Sequence, residues 1–268
     1  MYYFDFHTHA FVDKIAERAI SSLADTSGIV PETNGTVSGL IKKCDEWGIE
    51  KVMILPIATK PSQQSSINNW AAEIMNERIY CYGTVHPDAP DALEELENIK
   101  KYGLFGVKLH CEYQLFYPDE EKMFSIYEKC SELNLPVVFH GGYDPLSPEL
   151  IRGTPERFAN IARAFPDLTI IVAHLGGDRM WDDVEKYLAG KFDNVYFDIA
   201  VIADDISDEQ AEKIIKMHGA DRILFGSDAP WDNPLDEVNL INRIDLTDEE
   251  RELIFCKNAE KLIELAME

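Results

Sequence analysis

The sequence predicts a closed α/β barrel, a single (β/α)8 unit of parallel strands, on three observations. Short apolar runs recur, each followed by a polar stretch and then a helical pattern. After the first run, their starts lie roughly 25 to 32 residues apart, the length of one strand-plus-helix unit. The 268 residues also suit the ~250 typical of such a barrel, which routinely forms one domain.

The strands are expected at Tyr2–His7, Lys51–Pro56, Ile79–Val85, Phe105–His110, Pro136–His140, Leu168–His174, Val195–Ile199 and Ile223–Ser227. The segments between them read as helices. In Ala89–Tyr102, apolar residues fall at Ala92, Leu93, Leu96 and Ile99, at helical spacing. Thr154-Pro155 sets a cap before a proline whose fixed φ suits a first helical turn. Ser207–Gln210 and Thr247–Glu250 have the form of capping boxes, in which side chains satisfy orphan N–H groups. Leu253, Cys256, Leu262 and Leu265 are expected to pack the last helix. The first connection, Ala10 to Glu50, is the long one. Its Thr26–Thr36 stretch, rich in Gly, Ser, Thr and Pro, is expected as a mobile loop over the strand ends.

Composition narrows the class of partner. Lys and Arg number 25 against 49 Asp and Glu, a net charge of −24. Such a surface repels phosphate backbones and anionic lipid heads, so nucleic acid and membrane are poor partners. Five cysteines without a CxxC pair argue against a disulfide framework and for a reducing compartment, and so for the cytoplasm. No uninterrupted apolar run reaches membrane-spanning length, and the first residues lack a signal peptide's basic region. No P-loop or strand-borne GxGxxG supports a nucleotide cofactor.

Histidine placement is the informative signal. Of seven histidines, His7, His9, His110, His140 and His174 fall at the carboxyl end of an expected strand, and Asp228 follows the last strand in the same way. In parallel barrels that edge carries the active site, because all the βα loops open there. Such edges make up about a tenth of the chain, so scattered histidines would place fewer than one there. His7 and His9 are two apart, and residues i and i+2 of a strand project to one side. Both rings can then bind one ion as neutral imidazoles. Burying so many imidazoles in one cavity without an ion would leave them hard to satisfy.

At these residues the sequence resembles the amidohydrolase superfamily, in its amidohydrolase-2 (amidohydrolase-related) branch. The stretches that carry the resemblance are Phe4–His9, Gly106–His110, Phe139–Gly142, Ala173–Gly177, Phe225–Pro230 and Lys257–Leu262. The resemblance implies a metal-dependent TIM barrel with one or two divalent ions, most often zinc. It implies His7, His9, His140 and Asp228 as ligands of the first ion, and His174 as ligand of a second or as a group touching substrate. In binuclear members such as ureases and hydantoinases, a lysine ending the fourth strand is carboxylated and bridges two metals. Lys108, in a stretch similar to that of urease, takes this role or else anchors a substrate carboxylate as a cation. Many decarboxylases of the branch lack the lysine and use one metal.

Three functions follow as expectations. The first is hydrolysis of an amide, lactone or ester in a small polar molecule, with a metal-activated water, Asp228 as base and His174 polarising the carbonyl. The second is non-oxidative decarboxylation of a small aromatic or unsaturated acid. Related decarboxylases tend to be longer, which favours hydrolysis. The third is a metal-binding barrel without turnover. His110 is a candidate ligand or acid–base group. Arg179 and Trp231 are candidate substrate contacts, the arginine as a carboxylate clamp or as a surface ion pair. Other aromatics near the edge are Tyr113, Phe116, Tyr117, Tyr143 and Trp181. Cys111 should point away from His110, toward the helices. His86 and His218 read as structural. Pairing of two chains through their helices is expected.

Overall fold

Strands buried on both faces read as continuous apolar runs, and those runs form a parallel barrel here. A computed structural model describes residues 1–267. The strands are β1 Tyr3–Thr8, β2 Ile49–Ile54, β3 Ile79–Cys81, β4 Val107–Leu109, β5 Val137–Phe139, β6 Ile170–Val172, β7 Val195–Asp198 and β8 Ile223–Leu224. They form two parallel sheets, β1-β2-β3 and β4 through β8. A Gly83–Val107 bridge joins the sheets on one side, and a Thr8–Ala229 bridge with Phe6 N–H donating to the Phe225 carbonyl joins them on the other. The sheet is thereby closed, as expected. Several strands stop two to four residues short of the expected ends, because the chain leaves the ladder to build the mouth.

Helices follow the strands: α1 Asp13–Ser27 and α2 Val37–Trp47 after β1, α3 Gln64–Ile74, α4 Ala92–Lys101, α5 Phe124–Glu132, α6 Pro155–Ala164, α7 Trp181–Tyr187 and α8 Asp208–His218. The chain ends with α9 Pro234–Arg243, α10 Asp248–Glu252 and α11 Asn258–Met267. Pro155 opens α6 as expected, although the Thr154 side chain makes no cap bond. Thr247 and Glu250 form the full capping box, whereas at α8 only Ser207 plays its part and the Gln210 amide reaches Asp182 instead. The long first connection departs from expectation. Thr26 and Ser27 close α1, and the loop that follows is tied over β8 by Glu32 N–H donating to the Pro230 carbonyl.

Apolar side chains fill two layers. Phe4, Met53, Leu55, Val138, Ile171 and Leu224 form an inner cluster, closed by Leu262 and Ile263 of α11. A larger cluster lies between strands and helices. Cys256 and Leu262 are buried as expected, but Leu253 and Leu265 are only partly so. A π-helical turn at Leu253–Lys257 adds a residue to the helical repeat and turns Ile254 and Phe255 inward in place of Leu253.

Candidate metal centre at the barrel mouth

The first strand delivers two imidazoles through a distortion. Register slips between Asp5 and Thr8, a bulge of the kind that re-aims side chains. Phe6 packs in the inner cluster, and the adjacent His7 nevertheless reaches the cavity together with His9. Asp5 fixes the neighbouring strand end. Its carboxylate accepts from the Ser227 hydroxyl (2.6 Å) and N–H (3.0 Å) and from His7 N–H (3.2 Å). Asp228 N–H in turn donates to the His7 carbonyl at 2.7 Å. His174 and Asp228 sit at φ 61° and 63°, a left-handed conformation that non-glycine residues adopt at an energetic cost and that clusters at functional sites. Gly142 (φ 85°) lets the loops after β5 and β6 meet, since a Cβ there would lie 2.1 Å from Asp178 N.

Outer hydrogen bonds define what each ring presents inward. His7 Nδ1 lies 2.9 Å from Asp198 Oδ2, His9 Nδ1 2.8 Å from the Leu55 carbonyl and His174 Nδ1 2.9 Å from the Ala200 carbonyl. Each partner only accepts, so each Nδ1 carries the proton and each Nε2 turns a lone pair inward. His140 is reversed: Nε2 faces the Tyr143 carbonyl at 3.1 Å, which leaves Nδ1 as the inward lone pair. These lone pairs converge, and only His7 Nε2 has a protein donor near it, the Lys108 ammonium at 3.2 Å. His140 Nδ1 and His174 Nε2 are 3.0 Å apart. His9 Nε2 lies 2.8 Å and His7 Nε2 3.5 Å from Asp228 Oδ1, a buried oxygen that finds no hydrogen-bond donor. Two acceptors at such distances repel unless a cation lies between them. The donors therefore fit a divalent ion with nitrogen and oxygen ligands.

Charge states agree with that fit. Burial and the nearby Lys108 ammonium push His7 down to about 4, so its ring is neutral at pH 7, the form that ligates. Burial also holds His110 and His140 well below the usual histidine value. For Asp228 burial alone would raise the carboxyl, but His7 and His9 outweigh it and hold the group well below the usual carboxylate range. Asp198 is depressed likewise, chiefly by His7 acting against its burial. Lys108, 1% exposed, places Nζ 3.2 Å from His7 Nε2, and burial lowers it to about 8.

The expected residues His7, His9, Lys108, His110, His140, His174, Asp228 and Trp231 all line one cavity of about 400 Å³. His110 lies between Tyr113 and His140 in a stack with ring centres 3.6 and 4.3 Å away. Its Nε2 is 3.5 Å from Asp144 Oδ2, which also accepts from the Tyr113 hydroxyl at 3.0 Å.

Arg179 does not meet the expectation of a carboxylate clamp. The turn that follows His174 throws it outward, where it pairs with Asp205 at 2.7 Å and covers the Tyr143 ring. It therefore makes the surface ion pair and lies outside the cavity. Tyr113 and Tyr143 line the cavity, while Phe116 and Trp181 pack in the core and Tyr117 lies under Arg157. Cys111 is buried in the helix-side core, away from His110. His86 accepts from Asp88 N–H, and His218 bridges Gly190 N–H and the Val195 carbonyl, and neither lines the cavity.

Several residues of the site have no counterpart in the sequence reading. Asp198 ends β7 as Asp228 follows β8, and position on a strand end is the signal that could have found it. Asp144 and Glu112 sit in loops with no spacing cue. Gln114 holds the turn after β4 by donating to the Ala58 and Val85 carbonyls and accepting from His110 N–H.

A parallel barrel with histidine and aspartate donors converging at its carboxyl mouth is the architecture of a metal-dependent barrel enzyme. The chain belongs to the Amidohydrolase family (Amidohydro_2), whose model matches residues 57–265. No curated protein matches it. Solved structures do. An uncharacterised TIM-barrel protein from Bordetella bronchiseptica is 16% identical, with all of both chains covered and a TM-score of 0.79. A 2,6-dihydroxybenzoate decarboxylase complexed with 2,6-dihydroxybenzoate is 18% identical over 98% of this chain and 99% of that one, with a TM-score of 0.73. A 5-carboxyvanillate decarboxylase from Novosphingobium aromaticivorans, bound to manganese, is 16% identical over 98% and 97%, with a TM-score of 0.74. At these identities the likeness is one of fold.

Proposed function

We propose that this protein is a divalent-metal-dependent, non-oxidative decarboxylase of a small aromatic or unsaturated carboxylic acid. The observation that carries the reading is a ring of inward lone pairs beside a buried lysine, set in a cavity lined by the aromatic side chains of Tyr113, Tyr143 and Trp231. Decarboxylases among the similar structures support it, one of them complexed with a planar aromatic acid. This reverses the order of the two expectations.

His7, His9, His140 and Asp228 would hold the ion, with His174 beside it. When bound, the ion supplies Lewis-acid stabilisation of charge developing on the substrate. Lys108 pairs with the carboxylate, and the aromatic lining packs against the ring. As the bond to the carboxyl carbon breaks, CO₂ leaves and the ring carbon keeps the electron pair. That pair takes a proton from Lys108, the ammonium that stands at the donor ring. Hydrolysis is the second reading, favoured by the place of Asp228 in the donor ring beside His7 and His9, where its carboxylate could take a proton from water. Lys108 would then be the carboxylated bridge between two ions.

The test is to incubate zinc- and manganese-loaded protein with hydroxybenzoates and unsaturated acids, and separately with lactones and amides. CO₂ release from the acids is expected. Turnover of lactones or amides with no CO₂ from any acid would reinstate hydrolysis. Elemental analysis and intact mass on the same samples give the ion count and the state of Lys108. Absence of all turnover in metal-loaded protein would leave the silent-barrel expectation.

A further inference from the structure

We propose that the substrate carries an apolar substituent lodged between α1 and α3, and one acidic group only, placed at the donor ring; this rests on the mouth being the site of turnover. The cavity is about 400 Å³, whereas a cavity of roughly 150 Å³ holds benzene. A one-ring acid on the donors would leave more than half of it empty.

The remaining space has a consistent chemistry. Along α1, Ile15, Ala19, Leu23 and Ser27 line the cavity at every fourth position, one helix face. The face that packs on the barrel is another one, carried by buried Ala16 and Ile20. From α3, Ile67 and Trp70 line the cavity one turn apart. These side chains are not fully covered by the chain itself: Ile15 is 50% exposed, and Leu23, Ile67 and Trp70 are part-buried. Two helices thus line, with mostly apolar side chains, the same cavity that holds the donor ring. An apolar extension of the molecule bound at that ring is the occupant that fills it.

Charge sets the second half of the proposal. Among the described residues that line the cavity, Lys108 is the only lysine or arginine, and Asp144, Asp178 and Asp228 are the acids. Arg179 is engaged outside on Asp205. A second anionic group on the substrate would meet carboxylates, hydrocarbon or the neutral Ser27, Thr59 and Gln63, with no cation to face it.

The experiment is calorimetric titration of metal-loaded protein with straight-chain hydroxamic acids, from acetohydroxamic to decanohydroxamic, which share one metal-chelating head. Affinity is expected to rise about fourfold per methylene until the space is filled. An ω-carboxylate at the far end should erase the gain. In Leu23→Gln and Ile15→Gln the gain with length should fall sharply while acetohydroxamate binds as before, which also shows that the variants are folded. Equal affinity across the series, or an undiminished gain in both variants, would overturn the proposal. So would a dimer, seen by sedimentation, that dissociates in Leu23→Gln, since a second copy would then cover α1. No CO₂ from any acid together with a preserved length dependence would overturn the decarboxylase reading alone. Flat affinities with CO₂ release intact would overturn this inference alone.

Discussion

Two clusters of the same residue types lie side by side at the barrel mouth, and they are not equivalent. His7, His9 and Asp228 form one, and His110, His140 and Asp144 the other. In the first, the protein binds the outer edges of both rings and leaves the inner edges facing a carboxylate oxygen without a donor. In the second, the carboxylate has a donor, since Tyr113 O–H donates to Asp144, although His110 Nδ1 stays unpaired 3.8 Å from Glu112. Residue type and proximity do not distinguish the two. What separates them is whether the carboxylate is left without a donor: Asp228 Oδ1 is, and with the inward edges of His140 and His174 it marks the place for a cation, whereas Asp144 is held by Tyr113.

Substitutions can break this contrast in a graded way. The largest effect is expected at Asp228. Asp228→Asn replaces an anionic donor with an amide, so the protein should purify with little bound metal and lose at least about 10³-fold in turnover, within the range for losing a catalytic group. Metal retained at wild-type stoichiometry, by elemental analysis, would show that the ring does not depend on this carboxylate. Next is Asp198→Asn, remote from the ion but bound to His7 Nδ1 at 2.9 Å. Loss of a partner that orients a ligand typically lowers metal affinity about 10- to 100-fold. Competition with a chelator measures it, and an unchanged affinity would mean that the strand alone orients His7.

The sequence made this floor legible where function coincides with a strand end, since apolar runs locate the strands and every histidine of the mouth terminates one. It was illegible where function depends on a turn. Arg179 follows His174 closely in sequence, yet a left-handed turn (φ 56°) directs it to Asp205. Glu112 accepts from Arg152 and Gly153 N–H, partners some forty residues away that no local pattern announces. Thr26–Thr36 reads as a loop by composition, but the start of that stretch belongs to a helix whose exposed stripe becomes a cavity wall. At the chain's end a π turn shifts the helical repeat, so regular 3.6-residue spacing predicts the wrong inward residue there.

The smallest effect on metal is expected in the second cluster, and it sharpens the comparison most. Tyr113→Phe removes the donor to Asp144 while keeping the ring that stacks on His110 at 3.6 Å. Burial already pushes Asp144 above the usual carboxylate range, with the Tyr113 bond among the influences opposing it. Without that bond the carboxyl should rise further. The protein should lose about 1.5–3 kcal/mol of stability, as for other hydrogen bonds to charged groups, seen as a lower denaturant midpoint. Its metal stoichiometry and chelator resistance should match the wild type. If Tyr113→Phe instead sheds metal as Asp198→Asn does, Asp144 acts on the ion through His140, and the two clusters are a single ligand system.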